Sequence, residues 1–163
     1  MKPLLAFFLL FVCANAFAEA ELKPQDMPAP PIELTDLDGK LHSLGDYQDR
    51  IVMVQFWATY CTPCRTEMPA MNRLEQALGE KLKILAINMG EQEQEVRKFV
   101  DEVKPEFTIL LDPKGESIRN WKAFVAPSSF IVTPDGRIRY TLYGPAEWDS
   151  DAMKQKLLAL LES

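Results

Sequence analysis

The chain has 163 residues, 47% apolar and 26% charged, which favours one globular domain with an ordinary core. Its formal net charge of −6 argues against nucleic acid and against an anionic membrane surface as partners. An acidic surface of this size serves solubility, and no partner is inferred from it.

The chain opens on Met1-Lys2-Pro3, and residues 4–12 carry no polar side chain. Ala16-Phe17-Ala18 then offers a small-residue cleavage site, with Ala14-Asn15-Ala16 as the alternative. The pattern predicts a signal peptide over residues 1–18. The apolar run is shorter than the roughly 20 residues of a membrane span, so stable insertion after cleavage is not expected. An uncleaved N-terminal anchor is the alternative. Phe11 and Val12 are bulky where a lipoprotein signal has small residues, so Cys13 is expected to leave with the signal. Export places the remainder in a compartment where disulfides persist, and its two cysteines are Cys61 and Cys64.

Residues 19–31 contain Pro24, Pro28, Pro30 and Pro31 and read as an extended, mobile tether, with the folded domain over 32–163. Residues 32–34 and 41–44 alternate about Asp36-Leu37-Asp38-Gly39-Lys40, which predicts a hairpin with a glycine turn. Residues 46–50 are a polar connection. Residues 51–57, Ile-Val-Met-Val-Gln-Phe-Trp, predict a strand buried on both faces. Met68, Met71, Leu74 and Leu78 recur at helical spacing, which predicts a helix over 62–78, with a kink at Pro69. A buried strand follows over 83–89. An amphipathic helix spans 93–103, with Val96, Phe99, Val100 and Val103 on one face. Residues 108–111 form a short strand and 117–124 a weaker helix. A second hairpin joins 129–133 to 138–143 across Thr133-Pro134-Asp135-Gly136. A closing helix carries Met153, Leu157, Leu160 and Leu161. Strands alternating with helices imply an α/β fold, a mixed sheet covered on both faces. Ligands in such sheets sit at the carboxyl ends of strands.

Cys61 and Cys64 fall at such an end, where the central strand gives way to a helix. Pro63 suits a first helical turn, because its missing N–H would have no partner there. The free N–H groups and dipole of the helix start stabilise a thiolate at Cys61, the reactive form of cysteine. Two cysteines three apart across a helix start can close a short disulfide and reopen it, which is the chemistry of thiol–disulfide exchange. A purely structural staple is disfavoured, because so short a loop constrains the unfolded chain little.

These residues resemble the TlpA/ResA-like branch of the thioredoxin-fold thiol–disulfide oxidoreductases. The resemblance is carried by Phe56-Trp57-Ala58, Cys61-Thr62-Pro63-Cys64, Glu67 and Pro69, and Val125-Ala126-Pro127-Ser128-Ser129-Phe130, and it covers roughly residues 32–161. It implies a thioredoxin-like fold, a central mixed sheet flanked by helices, with an added N-terminal β-hairpin. It also implies protein disulfide or dithiol substrates, a membrane thiol as electron donor and no cofactor. Cys61 is the expected nucleophile. Cys64, one turn on and more buried, is the expected resolving thiol that attacks the mixed disulfide. Thr62 and Pro63 are expected to tune the thiolate, and Tyr60 stands where a tryptophan is more usual. The resemblance implies a cis Ala126-Pro127 bond facing the cysteines, with the Ala126 backbone free to pair with an extended substrate segment. Glu67 is expected to take the proton of the buried Cys64, and burial would raise its pKa toward that task. Thioredoxin itself carries its acid in the preceding strand, at the position of Gln55, which cannot titrate. Trp57 and Trp148 read as packing residues, and Arg65 either adds positive potential near Cys61 or is a solvated surface side chain.

The favoured reading is a periplasmic disulfide reductase, for example one serving cytochrome c maturation. The alternative is a disulfide oxidase or isomerase. A peroxidase is less favoured, because Ala58 stands where that chemistry wants a threonine, with Thr59 one place late. A metal carrier is less favoured because His42, the single histidine, lies in the early hairpin, far from the cysteines.

Overall fold

The computed structural model describes residues 21–162. The signal segment expected over 1–18, Cys13 included, lies outside them. The described elements run β1 (Lys23–Pro28), β2 (Glu33–Thr35), β3 (Leu41–Ser43), β4 (Ile51–Trp57), α1 (Thr62–Leu78), β5 (Leu82–Asn88), α2 (Glu93–Val103), β6 (Thr108–Leu111), α3 (Glu116–Trp121), β7 (Ser128–Val132), β8 (Arg137–Tyr143) and α4 (Asp151–Ala159). Short 3-10 turns cover Leu44–Tyr47 and Gly79–Lys81.

Six strands make one mixed sheet in the order β1-β8-β7-β4-β5-β6. β4 runs parallel to β5, and β5 to β6, through crossovers that contain α1 and α2. β7 lies antiparallel on the other side of β4, and β8 antiparallel to β7. All seven residues of β4 are buried, as its unbroken apolar run predicts for a strand covered on both faces. Its side chains alternate. Ile51, Met53 and Trp57 join Met68, Met71 and Leu74 of α1, Val96 and Phe99 of α2 and Leu157 of α4 in one core layer. Val52, Val54 and Phe56 join Trp121 of α3, Phe130, and Ile32 beside the first hairpin in the other. This is the thioredoxin-like arrangement expected, with the added hairpin β2–β3 set against β6 by the Asp36–Leu110 bridge. Gly39, at φ 81°, makes the turn of that hairpin in a region that disfavours other residues. Among the described residues no helix is long and apolar enough to cross a membrane.

One expectation is corrected. Residues 23–28, placed within a mobile tether, form β1 on the edge of the sheet, antiparallel to β8. The strand carries no apolar alternation, and all six residues are exposed. It is held instead by its ladder and by Asp26, which accepts hydrogen bonds from Arg137 Nε and Arg139 Nη1, each at 2.6 Å. Pro24 and Pro28 are tolerated because an edge strand leaves one row of backbone groups without a ladder. Leu22, just before it, is buried in the core layer that also holds Leu157 of α4. The helix expected over 62–78 runs unbroken through Pro69.

Candidate active site

β4 ends at Trp57, and the chain turns through residues 58–60 before α1 begins. Cys61 N donates to Ala58 O, and Thr59 is clasped by Glu91, whose carboxylate accepts from both its backbone N–H and its hydroxyl. Asn88 at the end of β5 positions Glu91 in turn, by a 2.8 Å bond from its Nδ2. Cys61 is thereby delivered to the N-cap of α1, where its sulfur accepts from Cys64 N at 3.2 Å. Cys61 and Cys64 are joined as a disulfide, with Cα atoms 5.3 Å apart. Cys64 is wholly buried and Cys61 is 5% exposed, so the accessible edge of the disulfide belongs to Cys61. Thr62 and Pro63 are exposed beside it, and Tyr60 is 78% exposed. A sulfur at this N-cap faces unpaired helix N–H groups, which favour negative charge once the bond is reduced.

Pro127 is brought to the same end of the sheet. Ser128, the first residue of β7, pairs with Phe56 near the end of β4, so the Ala126-Pro127 loop lies beside the exit of the strand that leads to Cys61. The Ala126-Pro127 bond is cis. Ala126 packs against the core layer that contains both cysteines. The loop is pinned by Gly144 N donating to Pro127 O at 2.9 Å and by Ser128 Oγ donating to Val125 O at 2.6 Å. Phe124 and Val125, given no role of their own from sequence, expose apolar surface just before it, Phe124 at 69%. No spacing rule marks them.

Glu67 lies one turn beyond Cys64 on α1 and is 4% exposed. Burial pushes its carboxyl up to about 7, against the pull of three hydrogen bonds to the charged form. These come from Trp148 Nε1 (2.8 Å), Ala146 N (3.2 Å) and Gln55 Nε2 (2.6 Å). Trp148, expected as packing, is buried and also spends its one donor on Glu67. A contact across 81 residues leaves no trace in sequence spacing. An open cavity of about 900 Å³ adjoins this carboxylate, lined by Thr62, Pro63, Thr66, Pro145 and Asp149 among others.

Arg65 does not stand free. It pairs with Glu102 at 3.3 Å and lies 4.4 Å over the Phe99 ring, so its charge is partly spent on α2. His42 is buried in the hairpin between Asp36 Oδ2 (2.7 Å) and Tyr47 OH (2.6 Å). Among the described residues no cluster of three or more His, Cys, Asp or Glu side chains could hold a metal ion.

The AhpC/TSA family matches residues 26–141. Over 142 residues the chain is 32% identical to the thiol-disulfide oxidoreductase ResA of Geobacillus thermodenitrificans, covering 86% of this chain and 82% of that protein. The chain belongs to the AhpC/TSA family. Within it the chain is a ResA-like thiol–disulfide oxidoreductase of thioredoxin-like fold. It is also 37% identical to the thioredoxin-like protein YneN of Bacillus subtilis over 114 residues, 68% of this chain and 66% of that one. A solved structure of a thiol:disulfide interchange protein DsbE from Chlorobium tepidum superposes with a TM-score of 0.77 at 30% identity, covering 86% of this chain and 99% of that chain. This ResA-like chain holds its Cys61–Cys64 pair at disulfide distance.

Proposed function

We propose that the protein is an exported reductase of protein disulfides, carried to the periplasm by residues 1–18. Cys61 is the nucleophile. Its thiolate attacks one sulfur of a substrate disulfide, forming a mixed disulfide and releasing the other substrate sulfur as a thiolate. Cys64 then yields its proton to Glu67 and attacks the Cys61 sulfur. The second substrate thiol departs, two electrons have passed to the substrate, and the Cys61–Cys64 disulfide remains. A membrane thiol donor returns the pair to the dithiol by the reverse exchange.

The observation that carries this reading is the Cys61–Cys64 disulfide at the start of α1 with the buried Glu67 one turn beyond Cys64, its carboxyl pushed up to about 7 by burial. A group of that pKa exchanges a proton at neutral pH in either direction. The N–H groups of α1 hold the Cys61 thiolate, and Thr62 and Pro63 set how firmly. Tyr60 and the Ala126-Pro127 loop flank the sulfur, and an extended substrate segment pairs with the Ala126 backbone. Cytochrome c precursors with an oxidised cysteine pair are a substrate of fitting chemistry. The peroxidase alternative has little support, since the Thr59 hydroxyl is donated to Glu91 and Ala58 offers none.

Equilibration with glutathione tests the direction. A midpoint of about −270 mV supports a reductase, and one of about −120 mV identifies a disulfide donor instead. Insulin-disulfide reduction with dithiothreitol should be lost in Cys61→Ser.

A further inference from the structure

The three donors that hold Glu67 are not alike. Oε2 accepts from Trp148 Nε1 and Ala146 N. Indole and backbone N–H groups can only donate, so an oxygen claimed by both is a poor seat for a proton. Oε1 accepts from Gln55 Nε2 at 2.6 Å. A primary amide differs from the other two partners because it carries a donor and an acceptor on one carbon. Gln55 is fully buried, and its own Oε1 has no partner among the described residues. Ser129 is Gln55's direct partner across the antiparallel β4–β7 ladder, and its Oγ is likewise buried and unpartnered. Opposed residues of such a pair put their side chains on the same face, with Cβ atoms about 5 Å apart. A hydroxyl both gives and accepts, so it can serve either end of an amide.

We propose that Gln55 is the positioning residue for the proton of Glu67: its amide gives Nε2–H to the carboxylate and, turned over, offers its carbonyl oxygen to the carboxylic acid, with Ser129 Oγ, unpartnered on the same face in this structure, there to accept from the amide N–H once it is turned away. The inference rests on Glu67 being the group that takes the Cys64 proton. That proton leaves the Cys64 sulfur, lands on Glu67 Oε1 and is lost to solvent when the carboxylate is regenerated. No electrons move in this step. Both states of Glu67 then keep a partner on every oxygen, where a one-way donor would leave an O–H facing an N–H. The titratable groups near Glu67 are Cys64 on α1 and, across the adjoining cavity, Glu147 and Asp149, the latter paired with Arg73. From β4 and β7 the neutral Gln55 and Ser129 stand on its side of the sheet. A charge-neutral amide holds the proton without competing for it, as a second carboxylate would.

The test is a carboxyl 13C NMR titration of Glu67 in the oxidised protein, with the pH profile of mixed-disulfide resolution measured alongside. In Gln55→Met, similar in size but unable to hydrogen-bond, the Glu67 midpoint should rise by roughly one pH unit, since a charge-assisted bond outweighs a neutral one. The pH step in resolution should move with it. In the wild type, nuclear Overhauser contacts of the Gln55 amide protons should pass from the Glu67 side chain to Ser129 as Glu67 is protonated. A midpoint unmoved or lowered in Gln55→Met overturns the proposal, and so does an amide whose contacts stay constant through the titration. The second measurement decides alone if the variant does not fold. Glu67→Gln separates the underlying reading: an unchanged pH profile of resolution there removes Glu67 as the base, while the Glu67 midpoint in Gln55→Met still reports on the amide.

Discussion

Trp148 shows how one side chain serves both packing and charge. Its ring fills the core layer against α1, and its indole N–H points at Glu67 Oε2. A Trp148→Phe change keeps most of the apolar area and deletes that donor. The charged form of Glu67 loses a hydrogen bond while burial, the larger influence, stays. Its midpoint should therefore climb further above about 7. Loss of a buried bond to a charged acceptor should also cost about 2 kcal/mol of stability at pH 8. An NMR titration and urea unfolding check the two effects, and a midpoint that falls would show that the indole does not favour the carboxylate. Glu67 was legible from sequence as a candidate because it stands a fixed helical step from Cys64. Trp148 was legible only as an aromatic landmark, because its donor role depends on how the loop before α4 folds back over α1.

Among the elements, those with a strong period were read to within a residue or two. β4 and α1 declare themselves by an unbroken apolar run and by Met68, Met71 and Leu74, since each must bury what it carries. β5 ends at Asn88, one residue before the predicted end: Asn88 still pairs with Trp57 and Leu111, and the chain then turns as Gly90 N donates back to Asn88 O. β1 was not legible at all. It buries no side chain, and its partners Arg137 and Arg139 lie more than 100 residues away. A strand held so should be the first part of the sheet to open. The Arg137 guanidinium keeps the Asp26 carboxyl below its usual range, so the clasp is present at neutral pH. Asp26→Ala should raise amide hydrogen exchange over Lys23–Pro28 and over the facing part of β8, while β4 and β5 stay protected. Uniform protection across the sheet in that variant would mean that the ladder alone holds β1.

For the molecule as a whole, the candidate base sets a pH window for stability. Its carboxyl is ordinary in the unfolded chain, at 4.5, and raised to about 7 in the fold. Between those values the folded state keeps a proton that the unfolded state has released, so stability falls as pH rises. The contribution is complete below about 4.5 and lost by about 7, for roughly 3 kcal/mol in all. The salt-bridged carboxylates act with the opposite sign and lower down. The Arg137 bond to Asp26 and the Arg73 bond to Asp149 depress those groups, and their stabilisation is lost only as pH drops through the acid range. The two windows scarcely overlap, so the oxidised protein should be most stable near pH 4.5 and should weaken toward pH 7.5. An oxidoreductase working at neutral pH then operates on the descending side, keeping a costly buried charge for proton exchange. Glu67→Gln removes the titration while keeping a side chain of the same shape. Urea unfolding between pH 4.5 and 8 should show a steep decline in the wild type and a nearly level curve in the variant. Parallel curves would place the pH dependence elsewhere and return Glu67 to the role of a buried structural carboxylate.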